Sequence, residues 1–544
     1  MITSIEKLYY RQTGSFSKTA LDYIENAESI RPFYTYAPHY DSVEAVVKNI
    51  DQYSYDRNVL ADVFHRQYKQ AGITPADAVL TNINALSRPN TYAVVTGHQP
   101  CLLGGPLYFI YKIAAAVNLA NSLNQRFSAY HFVPVYWVGS EDHDFEEINH
   151  IHLFGRTLSW QSGQKGATGR MATDNLQPLL ADIKTMLGTG EQAQRIMNLL
   201  EMAYRPTDNT LGKATRYLVN ALFEKYGLLV LDQDDAALKQ LFLPVMQREA
   251  AQMPSHTVVS RTNQALETNG YPPQAFVRDI NLFYLDDERR ERIIVHNDQS
   301  MSVQNMSLTW SNKAEMLQFM TQNPHRFSPN VILRPLYQQT ILPTVAYIGG
   351  GGELAYWLQL RDLFTHFGIH YPMLCLRNSA VNIDANTAQK IHALHLTNKD
   401  LFENSDKLMV QYVANNTANE LDLTAEKEAL NTIFTQIEQK AFRIDPTLQT
   451  TVAGEMSKAQ KSLEALEAKL LRAEKRNFDT DMARIKAVKD KLFPNDGQLQ
   501  ERYDNFLPYY LKYGDAFIDT LTTVLNPIEE QQFLCLYWEE TNSL

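Results

Sequence analysis

Cysteine is scarce in this sequence of 544 residues. The three cysteines, Cys101, Cys375 and Cys535, lie far apart and form no CxxC pair. Disulfide frameworks and zinc-finger sites are built from closely spaced cysteines, so the sequence argues against both. Cys101 invites interpretation as a nucleophile, but a single cysteine among leucine and proline is more typical of a small buried apolar side chain.

Long apolar runs and clusters of positive charge are also missing. No run reaches the roughly 18 apolar residues of a membrane-spanning helix, and the N-terminal segment MITSIEKLYYRQTGSF has no secretory apolar core. We therefore expect a cytoplasmic protein with no membrane partner. The net charge is −11 and no basic patch is visible, which argues against a nucleic-acid partner.

The residues that are present favour a large globular protein. Apolar residues make up 44% of the chain, with 29 tyrosines and 24 phenylalanines. A chain of this length exceeds the usual size of one hydrophobic core, so two or more structural units are expected. We divide it into N-terminal helices and an α/β core (1–384), a helical arm (385–499) and a segment that returns to the core (500–544).

Strand and helix patterns alternate through the first part of the chain. Residues 1–90 are predicted to be mostly helical, and a hairpin is predicted from Leu282–Leu285 and 292–295. Pro134 weakens the case for a central position of its strand, although the start of a strand could tolerate a proline. The alternation predicts a mainly parallel α/β sheet with an antiparallel insertion. The candidate buried strands are 92–96, 132–138, 228–231, 344–348 and 372–376.

Beyond about residue 385 the strand patterns disappear and heptads replace them. Apolar residues keep heptad spacing up to a break at Asp445 and Pro446, and resume from Val452 with a stutter near Asn477. The pattern predicts a long antiparallel pair of helices. Such a pair either packs on the body as an ordinary helical subdomain, or projects and pairs with another chain.

Three polar or glycine-rich segments follow predicted strands, where α/β sheets bind their ligands. In the first, the glycines allow close backbone approach and a phosphate or other anion fits, although a simple strand-to-helix turn is the alternative. The segment matches neither GxGxxG nor a P-loop. Its candidate substrate-binding residues are Thr96, Gly97, His98, Gln99, Gly104 and Gly105, and Trp137 of the next strand is a further candidate.

The second segment crowds six ionisable side chains between Glu141 and Glu147. Asp142, His143 and Asp144 are candidate catalytic residues, because a carboxylate or an imidazole there could accept a proton from an amine. Glu141 is a candidate for substrate binding. A metal site and a merely solvated loop are the alternatives, and no spaced set of ligands completes a metal site.

The third segment is a run of glycines that leads into a helix. Backbone N–H groups there could hold a carboxylate or phosphate, although close packing of a helix on the sheet explains the glycines equally well. Arg334 and Arg377 could add positive charge or clamp a neighbouring acidic loop. The candidate binding residues of this segment are Gly349, Gly350, Gly351, Gly352 and Glu353.

Four long strings, taken together, resemble the BshC family of bacillithiol-biosynthesis enzymes over nearly the whole chain. They are TGHQPCLLGGPLYFIYKI (96–113), PVYWVGSEDHDFEEINH (134–150), SPNVILRPLYQQTILPTVAYIGGGGELAYWLQL (328–360) and LFPNDGQLQERYDNFLPYYLKYG (492–514). The resemblance implies a Rossmann-like core with connecting-peptide insertions and a coiled-coil domain that forms a homodimer.

The resemblance also implies an activity. The family is assigned the last step of the pathway, in which a ligase joins L-cysteine to the amino group of glucosaminyl-malate. That reaction type implies ATP as a cosubstrate, although no ATP motif is present and the sequence does not decide whether a metal takes part. Two alternatives remain open, namely a metal-dependent hydrolase that uses Asp142, His143 and Asp144, and a coiled-coil scaffold that binds metabolites.

Overall fold

The computed structural model describes residues 2–419 and 421–539. Their contacts separate two compact units. The first unit runs to Asn382 and resumes at Gln500, and the second spans Ile383–Leu499.

The strands belong to four sheets. In chain order they are β1 Ile2–Leu8, β2 Thr91–His98, β3 His131–Val138, β4 His150–Leu153, β5 Arg156–Ser159, β6 Leu229–Asp232, β7 Leu282–Leu285, β8 Arg290–Val295, β9 Met301–Val303, β10 Thr309–Trp310, β11 Phe327–Pro329, β12 Thr344–Gly349, β13 Met373–Leu376, β14 Ala380–Asp384 and β15 Phe533–Trp538.

The helices connect and cover these strands. In chain order they are α1 Tyr10–Thr13, α2 Lys18–Ile24, α3 Val43–Ile50, α4 Arg57–Gln70, α5 Asp77–Leu86, α6 Tyr108–Arg126, α7 Phe145–Ile148, α8 Gln177–Leu187, α9 Glu191–Ala203, α10 Leu211–Phe223, α11 Ala236–Gln252, α12 Pro254–Thr268, α13 Lys313–Gln322, α14 Arg334–Ile341, α15 Gly351–Leu358, α16 Arg361–Phe367, α17 Ala385–Ala393, α18 Ser405–Asn416, α19 Thr424–Ile444, α20 Leu448–Lys475, α21 Asp479–Leu492, α22 Pro494–Gly497, α23 Gln500–Tyr503, α24 Leu507–Tyr513 and α25 Asp515–Val524.

A five-stranded parallel sheet forms the centre of the first unit, in the order β13-β12-β2-β3-β6. Its strands are almost wholly buried, because helices such as α6 cover them, and this burial explains their continuous apolar sequences. The predicted α/β class with a mainly parallel sheet is confirmed.

The expectation for Pro134 was wrong. Strand β3 lies between β2 and β6, so it is not an edge strand. The proline is tolerated because β6 pairs with β3 only from Val135 onward. Pro134 itself pairs with Val94 of β2, and the missing N–H of the proline does not interrupt the pairing with β6.

Strands β1 and β15 lie in regions where the sequence patterns predicted helices or the end of the strands. Strand β1 falls within the region predicted to be mostly helical, and β15 falls beyond the point where strands were expected to end. They pair with each other antiparallel, in a sheet of order β1-β15-β14. Strand β15 is mostly buried.

The predicted hairpin is present in an inserted antiparallel sheet of order β10-β9-β8-β7-β11. Strand β7 has the predicted bounds, and β8 begins two residues earlier than expected, at Arg290. Strand β11 pairs with β7 and leads directly into α14, so the insertion is joined to the segment that carries Arg334.

Among its described residues, the second unit contains no strand apart from the end of β14, and its long hairpin consists of α19 and α20. The helices are separated at Asp445, as predicted, and a 3₁₀ segment at Arg476–Phe478 coincides with the predicted stutter. No residue of α19 or α20 is fully buried. Among the described residues, no helix combines the length and the apolar character that a membrane crossing requires.

Candidate functional site

The three sequence motifs leave the same edge of the parallel sheet. Strands β2, β3 and β12 are neighbours in the order β12-β2-β3, and all run in one direction. Their carboxyl ends are in register, because His98 pairs with Val138 and Thr96 pairs with Ile348. The loops that follow them therefore begin side by side, as expected for a ligand site of an α/β sheet.

The first loop contacts the acidic loop directly. The amide of Gln99 donates to Asp142 at 2.9 Å and to Glu147 at 2.7 Å. The backbone N–H of Gly139 also donates to the carbonyl of His98 at 2.8 Å. Two of the three motifs are thus bonded through side chains as well as through the backbone.

A buried lysine joins the first loop to the glycine run. Lys112 of α6 is 1% exposed, and its ammonium donates to the carbonyl of Gly97 at 2.5 Å and to Glu353 at 2.7 Å. Glu353 also accepts from the N–H of Gly350 at 3.0 Å and from the hydroxyl of Tyr347 at 2.6 Å. The Glu353 carboxylate therefore holds the glycine run against the first loop.

These donors also set the charge of Glu353. Burial by itself would raise the pKa of this carboxyl, but the positive charge of Lys112 and the hydrogen bond from Gly350 outweigh it and lower the pKa to about 2. Glu353 is ionised at every pH at which the protein would work.

His98 lies at the mouth of the first loop with its ring partly buried. Its Nε2 is 3.2 Å from the hydroxyl of Tyr108, and its Nδ1 is 3.4 Å from the sulfur of Cys101. Burial, and next the charge of Lys112, lowers the pKa of His98 to about 4, so the imidazole is neutral at neutral pH. Burial raises the pKa of the Cys101 thiol to about 12, which makes it a poor nucleophile.

Other candidates of this loop and of β3 are bonded within the core. The hydroxyl of Thr96 donates to the carbonyl of Ile348 at 2.9 Å, and the indole N–H of Trp137 donates to Gln233 at 2.8 Å. Gly104 and Gly105 have positive φ, and a Cβ on Gly105 would lie 2.7 Å from the Cβ of Cys101. Gly104 and Gly105 are therefore needed for the conformation of the turn itself.

The acidic segment divides between the core and the surface. Glu141 is buried and forms an ion pair with Lys239, and it accepts from the hydroxyl of Ser328 at 2.8 Å. Asp142 is partly buried, whereas His143 and Asp144 are exposed. Burial would raise the pKa of Asp142, but Arg290 and the hydrogen bond from Gln99 lower it, so this carboxylate is ionised at neutral pH.

The two arginines occupy different positions at this edge. Arg334 donates to the hydroxyl of Tyr356 at 2.7 Å and lies close to Gly97, whose Cβ would be 3.7 Å from its Nη1. Arg377 donates to buried Glu501 at 2.8 Å, and its guanidinium lies 4.9 Å from the centre of the Tyr108 ring. Through Tyr108, Arg377 is one side chain away from His98.

A cavity of about 280 Å³ opens at the carboxyl ends of β12 and β13. Three of the predicted residues line it, namely Gly351, Gly352 and Arg377. Gly351 and Gly352 are the first two residues of α15, where backbone N–H groups have no partner within the helix. Arg502 and hydroxyl side chains from the N-terminal segment complete a wall suited to an anion. The other residues around the cavity are Ser15, Phe16, Ser17, Thr19, Ala20, Pro272, Gln274, Ala355, Leu376 and Ser379.

Sequence reasoning missed several residues that organise this edge. Lys112 offered a signal, because it is a cation within an otherwise apolar stretch of helix. Arg290 lies between the two predicted strands of the hairpin and was not singled out, and Tyr108 and Glu501 gave no signal of their own. Among the described residues, no cluster of three or more His, Cys, Asp or Glu side chains is arranged to hold a metal ion.

Comparison with known proteins decides the family. Residues 3–378 match a model described as the N-terminal Rossmann-like domain of bacillithiol-biosynthesis BshC, and residues 380–538 match its C-terminal coiled-coil domain. The chain belongs to the BshC family. Its core is therefore Rossmann-like, and the helical unit lies within the segment that matches the coiled-coil domain of that family.

Full-length relatives agree with this assignment. Proteins named "Putative cysteine ligase BshC" match in Flavobacterium johnsoniae at 38% identity, covering 96% of this chain and 97% of the relative. The match in Cytophaga hutchinsonii is 36% identical, with 98% and 99% covered. The match in Salinibacter ruber is 31% identical, with 94% and 95% covered.

Proposed function

We propose that this protein is a ligase that joins the carboxyl group of L-cysteine to the amino group of glucosaminyl-malate, and so completes bacillithiol. The observation that carries the proposal is the bonding of the three strand-end loops at one edge of the sheet, in a chain that belongs to the BshC family. Amide formation needs a proton acceptor, an anion site and donors for an oxyanion.

Two of these requirements, the proton acceptor and the anion site, have candidate residues at this edge. Asp142 is an ionised carboxylate beside the first loop, so it is suited to take a proton from the attacking amine. Arg377 and the N–H groups of Gly351 and Gly352 line the cavity, where they suit the carboxylates of the malate group. In this proposal Lys112 and Glu353 hold the loops together and do not touch the substrate.

The carboxyl group of cysteine must be activated before an amine can attack it. ATP is the activating cosubstrate that we propose, on the basis of the reaction type. The same cavity wall of N–H groups and arginines suits a phosphate as well as a carboxylate. Binding measurements with ATP and with glucosaminyl-malate are therefore needed to show which of the two ligands occupies the cavity.

Thermal-shift titration tests the binding part of the proposal. Glucosaminyl-malate is expected to raise the melting temperature, because a ligand that binds only the native state stabilises it, by about 2.7 kcal/mol at a hundred times its Kd. Glucosamine without malate is the matched control and should give a smaller shift. ATP and cysteine are titrated singly and together with glucosaminyl-malate, and bacillithiol formation is measured in the same mixtures. The proposal is rejected if glucosaminyl-malate gives no shift and no mixture forms product.

We also propose a homodimer through the helical arm. Large apolar side chains are exposed on both long helices, with Ile433 53% and Leu466 50% exposed. Isolated exposed apolar residues are common, but several along one hairpin indicate a surface that another chain covers. The same set includes Ile437, Phe442, Ile444, Leu448 and Leu470.

Charge placed on this surface should separate the subunits. The double variant Ile433→Glu/Ile437→Glu is expected to sediment as a monomer at micromolar concentration, because pairing would bury four uncompensated carboxylates per dimer. Gln436→Glu/Gln439→Glu adds the same charge at exposed polar positions of α19 and should remain dimeric. A wild-type protein that sediments as a monomer would refute the dimer.

A further inference from the structure

Arg290 reaches the acidic loop from the inserted sheet. It is the first residue of β8, and its side chain is 7% exposed. Its guanidinium donates to the hydroxyl of Ser328 and to the carbonyl of Pro329, both at 3.0 Å, and lies 4.0 Å from the centre of the Phe283 ring. These contacts from three sides fix the plane of the guanidinium.

The remaining edge of the guanidinium faces the catalytic candidates. Its Nη1 lies 2.9 Å from Nδ1 of His143 and 3.8 Å from a carboxylate oxygen of Asp142. A guanidinium has only N–H donors and does not lose its proton in proteins. Nδ1 of His143 is also 3.6 Å from a carboxylate oxygen of Asp142, which is too long for a hydrogen bond. The 2.9 Å contact with the guanidinium therefore decides its role: Nδ1 accepts, and the proton of a neutral imidazole is on Nε2.

The surrounding charges agree with a neutral imidazole. The His143 side chain is 46% exposed, and the pKa of its ring is lowered by loss of water on its covered side and next by the charge of Arg290, whereas Asp142, Asp144 and Glu291 act in the opposite direction. The ring packs against Phe283, with the two ring centres 5.6 Å apart. The effect of these carboxylates on the pKa of His143 is smaller than the combined effect of lost solvent contact and the Arg290 guanidinium.

We propose that Arg290 is a positioning residue that holds His143 as a neutral hydrogen-bond donor through Nε2 and leaves Asp142 as the proton acceptor. The inference rests on the proposed ligase function for its catalytic meaning, but its structural content is independent of it. The amine attacks the activated carboxyl carbon and forms the C–N bond, the amine proton passes to Asp142, and the activating group leaves with its electron pair. His143 donates a hydrogen bond to the developing oxyanion and transfers no proton.

NMR of protein labelled in its histidine rings tests the protonation state directly. The signals of His143 are identified by their loss in His143→Gln. In the wild type we expect the nitrogen shifts of an Nε2–H tautomer at neutral pH. In Arg290→Met we expect the titration midpoint of His143 to move to higher pH, because the nearby positive charge has been removed. Arg289→Met removes the exposed neighbouring arginine and should leave the midpoint unchanged.

Two results would overturn the inference. One is a wild-type His143 protonated on Nδ1, a result that needs no variant and so does not depend on whether Arg290→Met folds. The other is a midpoint that moves equally in Arg290→Met and Arg289→Met. Arg290→Lys keeps the positive charge but loses the planar guanidinium with its several N–H donors. The titration midpoint of His143 should therefore stay low, while the His143 ring is held less firmly in its orientation.

Activity separates this inference from the proposed function. Arg290→Met should lower kcat/KM for bacillithiol formation by up to about 100-fold, because the loop is no longer held in place. If the NMR results hold but activity is unchanged in Arg290→Met, the acidic loop is not the catalytic loop and the proposed mechanism fails, while the role of Arg290 in fixing His143 stands. If the NMR results fail, the ligase proposal survives with a different arrangement of acid and base.

Discussion

Asp142→Asn should lower kcat/KM for bacillithiol formation by about 10²- to 10⁴-fold, the usual contribution of a positioned general base. Asparagine keeps the shape of the side chain and can still accept the hydrogen bond from Gln99, which lies at 2.9 Å in the wild type. It cannot take up a proton, so the chemical step is lost while the fold is kept. The measurement is initial rates of product formation, with the melting temperature recorded for each variant.

Two variants of the same loop serve as controls for this result. Glu146→Gln removes one negative charge from an exposed position and should leave the rate nearly unchanged. Asp144→Asn tests the other candidate carboxylate, which is exposed at the start of α7. A large loss in Asp144→Asn with none in Asp142→Asn would transfer the role of base to Asp144, and unchanged rates in both would remove this loop from the mechanism.

The positions of the central strands could be predicted from the sequence, although their order could not, because burial on both faces leaves continuous apolar runs. The stretches 92–96 and 344–348 are continuous apolar runs that end in glycine, and each lies inside an observed strand. Strand β1 could not be found in this way. Its sequence ITSIEKL is mostly exposed, and its partner β15 lies more than 500 residues away along the chain. Its pairing depends on a long-range backbone ladder that no local pattern reveals.

The side-chain contacts of the candidate site could not be predicted for the same reason, because they join residues that are far apart in the sequence. Glycines and acidic residues at strand ends are visible in the sequence, because the position of a strand end is a local property. The partner of each group is not local. Arg290 is 147 positions from His143, and Lys112 is 241 positions from Glu353. These contacts determine which acid is ionised and which loop is held, and they exist only after the sheet and its insertion have folded together.

The ion pair between buried Lys112 and partly buried Glu353 should contribute strongly to the stability of the first unit. Lys112→Met leaves the Glu353 carboxylate without its cation and the carbonyl of Gly97 without its donor. Removing one partner of a buried ion pair costs about 3–5 kcal/mol in the free energy of unfolding. Tryptophan fluorescence during denaturant unfolding reports this loss, because all five tryptophans lie in the first unit. Lys69→Met, on the exposed face of α4, should change stability by about 0.5 kcal/mol or less.

The pH dependence of the loss identifies its cause. The pKa of Glu353 is about 2 in the folded protein and about 4.3 when unfolded, so the wild type keeps this contribution above pH ~4.3 and loses it as the pH falls towards ~2. In Lys112→Met the Glu353 carboxyl can be neutralised by protonation. The difference in the free energy of unfolding between this variant and the wild type should therefore become smaller as the pH is lowered. Lys112→Met/Glu353→Gln removes the uncompensated charge and should recover most of the stability at neutral pH. A double variant as unstable as Lys112→Met would instead assign the loss to the Gly97 contact and to packing, because no buried charge would then remain to account for it.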